Sequence, residues 1–142
     1  MFSWVAYSFI AMVLFSGIYL HLKALTQHSI HAFVINFWFF ALMALGFASV
    51  NLFTKTSFSV PKASWPIYAG LIFVGVLGNY FSVKAYEVAP NPGYVTAIMA
   101  CSMVVVTVLS VFLFKSTINP LQWLGVALVL VGVSLITFGG WR

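Results

Sequence analysis

GYVTAIMACSMVVVTVLSVFLFKSTINPLQWLGVALVLVGVSLITF, residues 93–138, holds a single charged side chain, Lys115, between two apolar runs. Each run is long enough to cross a lipid hydrocarbon core of about 30 Å as a helix rising about 1.5 Å per residue. An open strand at that depth would leave its backbone N–H and C=O groups unpaired, so helix is the expected structure. Working outward, the same pattern recurs over residues 3–22, 32–53 and 65–86, giving five spans with 93–114 and 120–138. The expected fold is therefore an all-α integral membrane domain over residues 1–142.

Composition agrees. The chain is 63% hydrophobic and 5% charged, with mean hydropathy +1.12. A soluble domain carries about 25% charged residues, so this chain lacks the polar surface for water. Its net charge of +5 comes from basic residues scattered singly between apolar runs. That arrangement suits anionic membrane surfaces, with membrane lipid as the expected partner and no nucleic acid. The lone Cys101 has no disulfide partner within the chain. Residues 1–22 lack a basic n-region, and their apolar run exceeds a signal-peptide core, so they are read as the first span.

Local signals mark the span ends. Pro66 and Pro120 sit where a first helical turn tolerates a missing N–H, with Ser64 and Asn119 as candidate N-caps. Pro90, Asn91, Pro92 and Gly93 interrupt the chain between the third and fourth spans. Trp4, Trp65, Trp123 and Trp141 fall near span ends, as interfacial aromatic belts do, while Trp38 lies inside the second span. Short connections make consecutive helices antiparallel neighbours.

Five spans place the two ends of the sequence on opposite sides of the membrane. Lys55, Lys62 and Lys115 then share one side and Lys23, Lys84 and Arg142 the other. Discounting Lys84, which lies close to the membrane, the balance is three to two. So even a split gives the positive-inside rule little to act on. It leaves two expectations: one orientation set by the small bias or the first helix, or a dual topology.

The third span carries the most polar chemistry. Gly75, Gly78, Asn79, Ser82 and Tyr86 recur at three- and four-residue steps and share one helix face. Such a face serves either close helix packing or a substrate cavity. Lys84 and Glu87, three apart, are spaced to pair. Glu87 is the only carboxylate side chain, and so the only acidic candidate for proton or cation coupling. In the fourth span Thr96, Met99, Met103, Thr107 and Ser110 fall at helical spacing, methionine being an adaptable lining for varied apolar partners. The candidate substrate-binding set is Asn79, Ser82, Tyr86, Lys84, Glu87, Thr96 and Met103, with Thr96 and Met103 opposite the third-span face. Asn36 and Trp38 read first as a hydrogen bond and a packing wedge. His21, His28 and His31 cluster around one loop without nearby acid or thiol, so no metal and no cofactor is expected. No HExxH, paired aspartates or phosphate-binding glycine loop is present, which argues against an enzyme.

NYFSVKAYEVAPNPG (79–93), the apolar run to Phe114, and NPLQWLGVALVLVGVSLITFG (119–139) together resemble the EamA domain of the drug/metabolite transporter superfamily. Gln122, Trp123, Leu124 and Gly125, followed by Gly132 and Val133, carry the most specific part. Gly125 and Gly132 lie seven apart on nearly one face, and that stripe is also similar to the dimer-forming last helix of small multidrug resistance transporters. The resemblance implies one half of a ten-helix inverted-repeat transporter. Without an internal repeat, the partner half is another chain: an antiparallel homodimer or a heterodimer with a homologue, with Gly125 and Gly132 at the interface. It implies a small transporter or exporter of a metabolite, working by alternating access in a bacterial inner membrane. The alternative is a non-transporting subunit packed against a partner membrane protein. Two departures matter. Lys115-Ser116 stands where family members often have Gly-Glu before the last helix. The first span offers Ser16, Gly17 and Tyr19 but no acid, so the proton-coupled drug antiport of the small multidrug resistance proteins is not expected.

Overall fold

Residues 4–139 are described by the computed structural model. Ser3, Trp141 and Arg142, used above to place span ends and count charges, lie outside them. The elements are α1 (Trp4–Thr26), α2 (Ala32–Thr54), a short 3₁₀ turn (Lys62–Ser64), α3 (Trp65–Val88), α4 (Pro92–Ala100), α5 (Ser102–Phe114) and α6 (Pro120–Gly139). There are no strands among the described residues. Five helical spans, with Pro92–Phe114 taken as one, are long and apolar enough to cross a membrane.

The 93–114 run is two helices rather than one. They meet at Cys101, whose N–H donates to Ile98 O at 3.0 Å. This i to i−3 bond tightens the turn locally. Cys101 itself keeps right-handed helical angles, φ −61° and ψ −17°.

Helix ends are built from local chemistry. Asn91, in extended backbone, caps α4 by accepting from Gly93 N at 2.7 Å, with Pro92 as the first helical residue. At α6, Asn119 Oδ1 accepts from Gln122 N at 2.8 Å while Gln122 Oε1 accepts from Asn119 N at 2.9 Å. This reciprocal capping box satisfies two of the donors a helix start leaves open. Both α2 and α5 end at a lysine in left-handed backbone, Lys55 (φ 54°) and Lys115 (φ 52°). The strain of that conformation is set against a cation placed at the negative end of the helix dipole.

The chain divides into two compact units, Met1–Val88 and Ala89–Arg142. In the first, α3 packs on both α1 and α2. Its buried residues are Leu22 and Thr26 of α1, Ala32 and Ile35 of α2, and Val83 and Tyr86 of α3. All six lie where α1 ends, α2 begins and α3 ends, so the core sits at one end of this three-helix unit. In the second unit α6 packs on α4 and α5, and among its described residues Val95 and Val126 are the buried ones.

Candidate functional site

The polar face of α3 changes character along its length. At Gly75 and Gly78 a Cβ would meet nothing within 4 Å, so no side chain closes over them. Asn79 turns back along its own helix, Nδ2 donating to Gly75 O at 2.8 Å. Further on, Ser82 is half-buried and Tyr86 is wholly buried, at 0% exposure. The Tyr86 ring stacks on Tyr19 of α1 with centroids 5.8 Å apart, and Tyr19 on Phe15 at 6.5 Å. One face thus runs from open glycines to a packed aromatic end.

Lys23 of α1 completes that end. Its ammonium donates to the backbone carbonyl of Tyr86 at 2.8 Å. The last carbonyls of a helix have no intrahelical donor, and the helix dipole makes them attractive to a cation. Lys84 Nζ and Glu87 Oε2 pair at 2.8 Å in the same last turns of α3, their side chains 36% and 39% exposed. An ion pair this open to solvent contributes little to stability.

A second feature lies between α2 and α3: an open groove of about 460 Å³. From α2 it is lined by Phe33, Asn36, Phe37, Phe40 and Ala41. Val76 and Tyr80 of α3 form the other side. Phe33 and Tyr80 stack face to face across the helix contact, centroids 4.4 Å apart and planes 18° from parallel. Asn36 Nδ2 donates to Ala32 O at 3.0 Å and to Asn79 O at 3.4 Å, tying α2 to α3. Sequence reading singled out Asn36 but not the rings around it. The signal was present: 33, 36, 37, 40 and 41 fall at three- and four-residue steps and share one face.

Thr96 and Met103 belong to the second unit. Thr96 donates its hydroxyl to Pro92 O at 2.6 Å within α4, and Met103 is 41% exposed. Gly125 and Gly132 of α6 are bare, with nothing within 4 Å of a built Cβ. Two of the three histidines serve local roles: His21 Nδ1 lies 2.8 Å from Gly17 O, and His31 Nδ1 accepts from Phe33 N at 3.3 Å as the cap of α2. Among the described residues no group of His, Cys, Asp or Glu is arranged to hold a metal ion.

Neither a curated protein nor a solved structure matches the chain. The model of the EamA-like transporter family matches residues 2–138, nearly the whole sequence. Five membrane-length helices, an almost chargeless interior and that match agree: the chain is an integral membrane protein of the EamA-like transporter family, within the drug/metabolite transporter superfamily.

Proposed function

We propose that this protein is a transporter or exporter that carries a metabolite or other small molecule across a bacterial inner membrane by alternating access. Its five-helix domain pairs with a second such domain, from another copy of the chain inserted in either orientation or from a homologous chain, to complete the ten-helix plan. The observation that carries the pairing is the bare face of α6. A Cβ at Gly125 or Gly132 meets nothing within 4 Å, and small residues let a second membrane helix approach closely. Within the first unit, Asn79, Ser82, Lys84 and Glu87 of α3 are the substrate-facing candidates in this reading, while Tyr86 is packed against Tyr19 and is not one of them. Glu87 is the only carboxylate side chain available for proton or cation coupling. The same bare glycines support a second reading, a subunit that packs on a partner membrane protein without transporting.

Reconstitution into liposomes with a substrate panel separates the two. Gly125→Leu combined with Gly132→Leu leaves the helix intact, since leucine is the better helix former by about 0.5–1 kcal/mol per site. The expected result is flux in wild type, and loss of both flux and cross-linkable dimer in the double variant. Full flux from a monomeric double variant would refute the dimer. No flux with any substrate, together with stable co-purification of another membrane protein, would favour the second reading.

A further inference from the structure

The groove between α2 and α3 has the chemistry of a binding site for a specific kind of molecule. Its polar contribution from α2 is a single amide, and no charged side chain lines it. Four aromatic side chains border it: Phe33, Phe37, Phe40 and Tyr80. Each has a ring neighbour. Phe33 stacks on Tyr80, Phe37 meets Trp38 edge-on at 5.4 Å, and Phe40 meets Phe39 at 5.2 Å. Phe37 and Phe40 nonetheless keep 65% and 43% of their surface open. Open ring faces bind flat aromatic molecules by offset or edge-on stacking.

Asn36 adds direction. Both partners of its Nδ2, Ala32 O and Asn79 O, are acceptors, so the amide nitrogen faces them and the orientation of the amide is fixed. Its Oδ1 accepts no hydrogen bond among the described residues. A lipid acyl chain filling the groove would leave that acceptor unpaired, which is costly in an apolar medium. A charged ligand would be desolvated there with no counter-charge. A neutral, planar aromatic molecule with one N–H or O–H donor meets both the rings and the amide.

We propose that the α2/α3 groove binds such a molecule and that this is the substrate class of the transporter. The assignment of the molecule as substrate rests on the transport reading above; the binding site itself does not.

Indole and benzothiophene test it, being nearly the same shape with only indole carrying an N–H. Equilibrium dialysis against the full chain in phosphatidylcholine nanodiscs, with empty nanodiscs subtracted, is expected to show saturable indole binding at one site per chain. Benzothiophene is expected to bind about three- to tenfold more weakly, the worth of one hydrogen bond. Asn36→Leu should abolish the difference between the probes, and Phe37→Ala should weaken both by about three- to tenfold. Phe53→Ala, outside the groove and 89% exposed, should change neither, with circular dichroism verifying helix content in every variant. Absence of saturable indole binding, equal affinities for the two probes in wild type, or an equal loss in Phe53→Ala would overturn the proposal. So would loss of the indole site on cross-linking two chains, which would assign the groove to a second copy. Flux measured in parallel keeps the two readings apart. Indole binding without flux for any substrate removes the transport reading alone, and flux unaffected by Phe37→Ala removes the groove as the substrate site alone.

Discussion

The two units of this chain solve the same problem with different means. Residues 4–88 join their helices with side-chain chemistry: Lys23 to the Tyr86 carbonyl, Asn36 to the Asn79 carbonyl, and stacked rings at Tyr19–Tyr86 and Phe33–Tyr80. In residues 89–139 the hydroxyls of Thr96, Ser134 and Thr137 donate to carbonyls of their own helices, and Ser110 Oγ meets Ser116 Oγ at 3.0 Å across the end of α5. Its buried residues are two valines. In lipid, apolar contact brings helices together by van der Waals packing alone, whereas interhelical hydrogen bonds and aromatic stacks fix register and direction. The first unit is therefore the directional one, and it holds the aromatic groove. The second offers bare glycine faces suited to close approach by another helix.

Truncating the centre of each core should break this comparison most visibly. Tyr86→Ala removes a wholly buried ring and is expected to cost about 3–5 kcal/mol. Val126→Ala removes two buried carbons and should cost about 1–2 kcal/mol. Unfolding in detergent measures both, and near-equal losses would show that the second unit is as specifically packed as the first. Next in size, Lys23→Met keeps the apolar stem but leaves the α3 carboxyl end without its cation, at about 1.5–3 kcal/mol. An unchanged stability would mean that water or another donor serves that carbonyl equally well. Smallest is Glu87→Gln, which breaks an open ion pair and should shift stability by less than about 1 kcal/mol. A much larger loss would reveal that Lys84 and Glu87 belong to the directional network.

Much of the architecture could be read from the residues. Five spans follow from hydropathy, and Asn119-Pro120 marks a helix start whose capping bonds the structure supplies. Asn91 reads only as part of a chain break and is the cap of α4 in the structure. The division of the fourth span at Cys101 was not legible, because no proline or glycine stands there and the change lies in tightened backbone hydrogen bonds, Cys101 N–H to Ile98 O and Val104 N–H to Cys101 O, each 3.0 Å. The α3 face was legible as a spacing, but not its two fates. Tyr86 reads as a polar residue on a cavity face, and its ring lies inside the packing against Tyr19. Lys23 reads as one more loop charge for the topology count, and it is a helix-end ligand.

Sequence alone determined that the chain lives in a membrane, how many times it can cross, and which family it resembles. Those follow from the near absence of charge, the length of each apolar run, and the LQWLG pattern of the last helix. Which side of each helix packs, and which stays open, only the tertiary structure decided. In water an amphipathic helix announces its buried face by polarity. In lipid both faces are apolar, so Phe37 and Ile35 of α2 look alike in sequence. One borders an open groove and the other is core, a difference set by the neighbouring helix rather than by the residues themselves.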